Sequence, residues 1–105
     1  MTTDRLPANA RQQQILDEAL RSAEVYGYTN ITRQMIADHL DIAPGLVSHY
    51  CGTMDELRRT VMRHAVQQER LRVVAQGIIA KHPVAMRAPR ELRARALAAC
   101  GPKGT

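Results

Sequence analysis

Side chains with chemical capacity are sparse and scattered along this 105-residue chain. The soft ligands and nucleophiles are His39, His49, His64 and His82 with Cys51 and Cys100. No pair has a convincing metal-ligand spacing, and His49 and Cys51 fall on opposite sides of a helix turn, so neither a metal nor another cofactor is expected. Cys51 reads most simply as a small hydrophobe. There is no acid–base pair, nucleophile constellation or phosphate-cradling glycine loop, and so no enzyme is expected. Charge is the stronger signal. Fifteen Lys and Arg stand against ten Asp and Glu, a formal net charge of +5 that favours a polyanionic partner. The excess lies in the second half of the chain. There Arg87, Arg90, Arg93 and Arg95 read first as a solvated helix face, with non-specific phosphate attraction as the functional option.

Length allows one small domain, or a small domain with an appendage. With three Tyr and no Phe or Trp, the core must be built from Leu, Ile, Val, Ala and Met. A chain this small buries only about 60–65 per cent of its unfolded surface, which makes self-association an expected supplement. No apolar run of about 18 residues is present, so no membrane span is expected. Met1-Thr2-Thr3-Asp4-Arg5 is followed by no apolar stretch, which argues against a secretory signal. Two cysteines make no disulfide framework, and a reducing cytoplasm is the default location.

These side chains must be positioned by helices, because no alternating β-type run is long enough for a sheet. Ile15, Leu16, Ala19, Leu20, Ala23 and Tyr26 recur at three- and four-residue steps, one stripe of a helix from about Ala8 to Tyr26 that stops at Gly27. Thr32 can cap a second helix with Met35, Ile36, Ala37 and Leu40 inward. Pro44 suits the first turn of a third, ending near Cys51-Gly52. Thr53-Met54-Asp55-Glu56 is a capping box for a fourth. No Pro or Gly interrupts that helix before Gly77, so it is expected to run unbroken to about Ala80. Leu57, Val61, His64, Gln68, Leu71, Ala75 and Ile78 would then form a heptad-like seam, its outer part free for a second copy. A last helix from Pro89-Arg90-Glu91 would turn Leu92, Ala96, Leu97 and Ala99 to one side. The expected fold class is therefore all-α, with Gln68, Leu71, Ala75, Ile78, Leu92 and Ala96 as dimerisation residues.

The stretch Thr32–Tyr50, TRQMIADHLDIAPGLVSHY, has the pattern of a helix-turn-helix. Two short helices crossing steeply through a tight turn need apolar residues at fixed places and a small residue at the crossing. Ile36 and Leu40 serve the first helix, Ala37 the close contact, Ile42 the turn, and Val47 and Tyr50 the second helix, with Leu46 also on the core side. Asp41 stands where a left-handed residue is needed, and Asp tolerates that conformation better than most.

From Ala10 to about His64 the sequence resembles the N-terminal DNA-binding domain of the TetR family of bacterial repressors. The resemblance rests on Gly27-Tyr28, Ile31-Thr32, Ile36-Ala37, Asp41-Ile42-Ala43-Pro44-Gly45, Leu46-Val47-Ser48-His49-Tyr50 and Thr53-Met54-Asp55-Glu56-Leu57. It covers about half the chain. Cys51 departs from the family's usual Phe, and Met54 from its usual Lys, which removes one expected phosphate contact. Only about 40 residues follow the motif, where relatives carry a further hundred or so. The resemblance implies domains at 9–64 for DNA binding and 65–99 for dimerisation, between a flexible start at 1–8 and a disordered tail at 100–105.

By the same resemblance the third helix enters the major groove. Pro44, Gly45, Ser48 and His49 would face double-stranded DNA, with Tyr50 and Thr32 near the backbone and Arg33 on a phosphate. Ser48 can donate or accept at base edges, and the His49 ring can meet guanine acceptors or phosphate. The expected function is a homodimeric repressor on a palindromic operator, autoregulatory, without room for a small-molecule effector, and of the kind that suits plasmids or phages. The alternative from another class is a helical interaction protein that binds a protein partner or another regulator. The missing Lys and the slightly acidic balance of residues 28–52 favour that alternative.

Overall fold

Apolar side chains at helical spacing organise the chain into seven helices in the computed structural model, which describes residues 8–100. They are α1 (Ala8–Tyr26), α2 (Arg33–Leu40), α3 (Pro44–Cys51), α4 (Met54–Gln67), α5 (Leu71–Ile79), α6 (Pro83–Met86) and α7 (Arg90–Cys100). No strand occurs among the described residues, so the protein is all-α there. The expected flexible start and disordered tail lie outside the described residues, apart from Ala8, which begins α1, and Cys100, which ends α7.

The first three helices begin and end where local chemistry directs. On α1 the stripe Ile15, Leu16, Ala19, Leu20 and Ala23 is buried, but Tyr26 is 50% exposed, and Tyr28 beyond the positive-φ Gly27 is the aromatic that goes inside. Thr32 caps α2 by accepting a hydrogen bond from the Met35 N–H at 3.1 Å. Asp41 ends that helix in the left-handed region, φ 59° and ψ 47°. Pro44 occupies the first turn of α3. Ile36, Ala37 and Val47 are buried where the two helices meet, with Leu40, Ile42 and Tyr50 half-buried against them. Met35 and Leu46, both expected inward, are half-buried and lie outside this cluster.

The expected long fourth helix is two helices. Its capping box is present, with Thr53 Oγ1 accepting from the Glu56 N–H and the Glu56 carboxylate accepting from the Thr53 N–H. The helix then stops at Gln67, without Gly or Pro. Glu69 takes φ 55°, the Arg70 N–H reaches the Ala65 carbonyl at 2.8 Å and the Glu69 N–H that of Val66 at 3.2 Å. This is a Schellman stop made with a non-glycine residue, for which left-handed backbone costs about 1–2 kcal/mol. Tertiary contacts offset that cost. Arg70 Nε and Nη2 each meet a carboxylate oxygen of Glu24 at 2.8 Å. Gln76 Nε2 donates to the Ala23 carbonyl, while its Oε1 accepts from the Tyr28 N–H. The reversal brings α5 back over α1 and α4 and buries Val73, Val74, Ala75 and Gly77. Lys81, φ 60°, closes α5 in the same way, with His82 N–H on the Gly77 carbonyl at 2.8 Å.

That reversal changes the setting of the expected dimer residues. Ala75, Leu92 and Ala96 are 1%, 4% and 0% exposed and fill the chain's own core. Leu71 and Ile78 are half-buried against the same core, while Gln68 is exposed. The continuous seam these residues would have formed does not exist, because the chain folds back between Gln68 and Leu71. On α7, Leu97 is 40% exposed and Ala99 is also exposed, so only Leu92 and Ala96 of its expected apolar side are inside.

Gly77 marks the tightest approach. A Cβ there would stand 2.6 Å from the Ala85 Cβ and 2.7 Å from the Met62 Cε and Sδ. Met62 can swing aside, but the Ala85 Cβ moves only with its backbone. Gly77→Ala is therefore expected to cost about 1–3 kcal/mol by overpacking, read as a fall in denaturant midpoint. An unchanged or raised midpoint would contradict the folded-back α5, since Ala normally stabilises a helix over Gly.

Candidate nucleic-acid interface

The α2–α3 pair is held from behind by α1. Glu18 on α1 gathers donors from two helices: Arg21 Nη2 at 2.6 Å, His39 Nδ1 on α2 at 2.7 Å and Ser22 Oγ at 3.1 Å. Burial pushes the Glu18 carboxyl up, but the hydrogen bonds from Arg21, His39 and Ser22 outweigh it and hold the carboxyl below its usual value. A second tie joins α1 to α3, where Gln12 Nε2 donates to the Tyr50 carbonyl at 2.9 Å. Arg58 of α4 reaches the Ile31 carbonyl at 3.3 Å, just ahead of the Thr32 cap. Each helix of the pair is thus fixed by polar contacts as well as by Ile36, Ala37 and Val47.

On α3, Gly45, Ser48 and His49 stand at i, i+3 and i+4 and so share a side of the helix. Gly45 and His49 are exposed, while Pro44, Ser48 and Tyr50 are intermediate. The His49 and Tyr50 rings meet edge to face, centroids 4.9 Å apart, which restrains the imidazole. A Cβ on Gly45 would meet nothing within 4 Å, so the fold itself does not require glycine there. Thr32 is exposed at the start of α2. Beside it Arg33 is half-buried, and its Nε is buried without a hydrogen-bond partner among the described residues. The seven candidate contacts therefore lie at two places, the start of α2 and the length of α3. Leu46, assigned to the core by its place in the sequence, is half-buried beside Gly45 and lies off the core cluster.

Met54, in place of a Lys, packs partly against the core. Cys51 is half-buried, and burial pushes its thiol up, away from the thiolate a nucleophile needs. No group of three or more His, Cys, Asp or Glu able to hold a metal occurs among the described residues. No described helix is long and apolar enough to cross a membrane. An open cleft of about 740 Å³ lies between α4 and α6.

Comparison with known proteins reaches part of the chain. It is 37% identical over 57 residues to the HTH-type transcriptional regulator BetI of Burkholderia thailandensis. The regulators of the same name from Burkholderia cenocepacia and Burkholderia ambifaria match equally, at 37% over 57 residues. In each case the match covers 54% of this chain and 29% of the relative, so the chain spans under a third of the relatives' length. No family model matches, and no solved structure matches.

Glu18 provides a pH test of the scaffold. A carboxyl held below its usual value stabilises the fold above the ordinary carboxylate range, and that contribution disappears as pH falls through the lowered value. Glu18→Gln is expected to cost about 1.5–3 kcal/mol near neutral pH, the scale of hydrogen bonds to a charged group. The gap to the parent should close on acidification, as the parent's own carboxyl protonates. Urea midpoints against pH check this, and a gap that persists at acid pH contradicts it. A little over half the chain is similar in sequence to helix-turn-helix transcriptional regulators.

Proposed function

We propose that the protein is a DNA-binding transcriptional regulator of the TetR type. It acts as a homodimer whose two α3 helices enter successive major grooves of a palindromic operator, about 34 Å apart. The observation that carries this reading is the outer side of α3: Gly45 and His49 are exposed and Ser48 beside them is only half-covered, on a helix pinned from behind by α1 and α2. Ser48 and His49 read base edges, and Pro44 and Gly45 permit close approach. Thr32, Arg33 and Tyr50 meet the phosphate backbone, with Arg33 helped by the unpaired N–H groups of the α2 start. The similarity to helix-turn-helix regulators supports the same reading. Binding near a promoter would repress by blocking polymerase, and an operator upstream of its own gene would make the circuit autoregulatory.

Dimerisation in this proposal uses none of the buried α5 and α7 positions. Among the described residues, the large apolar side chains on the surface are Val25, Tyr26, Ile79, Met86 and Leu97, each 40–57% exposed.

Selection of bound fragments from random duplex DNA, followed by binding measurements on Ser48→Ala/His49→Ala, tests the reading. An inverted repeat should emerge, and the double variant should lose about 2–6 kcal/mol of preference for it, two base contacts at the usual cost. Recovery of no preferred sequence, or an unchanged preference in the variant, refutes it and favours a protein-binding role for the same fold. Gly45→Ala sharpens the point. Stability should hold or rise by up to about 1 kcal/mol, because the new Cβ meets open space, while affinity for the selected duplex falls. Unaltered affinity would remove Gly45 from the interface.

A further inference from the structure

The cleft between α4 and α6 is walled by an uneven set of charges. Arg58, Arg59 and Arg63 enter from α4 and Arg87 from the end of α6, against the single carboxylate of Asp55. Asp55 is already engaged, 3.6 Å from Arg58. Among the described residues Arg59, Arg63 and Arg87 have no carboxylate within 4.0 Å. Arg59 and Arg63 stand four residues apart on one helix face, a like-charge spacing that costs an isolated helix about 0.2–0.5 kcal/mol. Arg58 Nε is buried without a partner among the described residues, so this guanidinium too is incompletely satisfied by its own chain.

The wall also carries a neutral donor. His82 Nδ1 accepts the Val84 N–H at 3.2 Å, which leaves the proton of a neutral ring on Nε2. Tyr28 meets that ring edge to face at 5.6 Å and fixes it. Burial, then the charge of Arg59, hold His82 below its usual pKa, consistent with a neutral ring. Guanidinium forks match the spacing of phosphate oxygens and bind them in pairs. The volume, about 740 Å³, falls within the range of small-molecule sites. A lone carboxylate would leave most of the positive charge uncompensated.

We propose that the cleft between α4 and α6 binds a small polyanion carrying two or more phosphate groups, with Arg59, Arg63 and Arg87 as its charged contacts. The site is separate from the α3 surface, and its test needs no operator. Isothermal titration of the full chain with inorganic tripolyphosphate at physiological ionic strength should show saturable binding of one equivalent. Affinity should exceed that for inorganic phosphate by about tenfold or more, some 1.4 kcal/mol. Arg59→Ala and Arg87→Ala should each weaken tripolyphosphate several-fold, whereas Arg90→Ala, the same charge change outside the cleft, should not. Thermal midpoints without ligand should stay unchanged in all three.

Absence of saturable heat overturns the proposal, and so does an equal loss in Arg90→Ala, which would mean diffuse attraction to a basic chain. A third titration uses random-sequence duplex. If the cleft variants weaken duplex by the same factor as tripolyphosphate, the arginines belong to a DNA backbone path, and the small-ligand site is refuted.

Discussion

Close approach between helices is the constraint on which the structure depends. A core with one buried aromatic, Tyr28, cannot fill wide inter-helix gaps, so the helices must come nearer. Ala19, Ala23, Ala37, Ala65, Ala75, Ala85, Ala88 and Ala96 are all buried, and Gly77 sits where even one added methyl meets Ala85. Small residues at crossings let Ile15, Leu20, Ile36, Leu57 and Met62 fill what space remains. This packing makes α5 and α7 part of one core with α1 and α4. It is also why side chains that look available for a partner in the sequence are used within the chain.

Polar contacts then decide the angles that close packing leaves open. Glu18 joins α1 to α2, Gln12 joins α1 to α3, and the Glu24–Arg70 pair with Gln76 joins α1 to α5. All three ties converge on α1, which acts as the common frame. Around it α2 and α3 present one surface, while α4 and α6 enclose the basic cleft. Removing a donor or acceptor from such a tie strands its partner, so each is costly to break relative to its size.

Much of the helix-turn-helix was legible in the residues. The Thr32 and Thr53 caps, Pro44 and Asp41 act through local chemistry that spacing alone reveals, and each takes its expected place. The turn at Gln68–Arg70 was not legible, because its left-handed residue is Glu69 rather than Gly or Asn. The forces that place it there come from Glu24, 46 positions away from Arg70. A heptad-like spacing continues across that break and mimics one long helix, although its inner residues serve two helices facing different neighbours. The same tertiary origin hid the cleft. Arg87 read as part of a solvated face, and only the fold of α6 over α4 sets it and His82 beside Arg59 and Arg63. The candidate contacts on α3 come only through resemblance, since helix phase tells inside from outside but not which outside face meets a partner. Tyr26, Met35, Leu46 and Leu97, all expected inward, are exposed or lie off the core cluster, so even phase was misjudged at several positions.

The outer side of α3, with the start of α2, is the surface proposed to meet duplex DNA. Backbone amide chemical shifts, followed as the isotopically labelled protein is titrated with its selected duplex, report this residue by residue. The largest changes should fall on Thr32 to Gln34 and on Gly45 to Tyr50, with α5 and α7 little affected. Changes concentrated on α5 to α7, with the α3 amides unmoved, would contradict it.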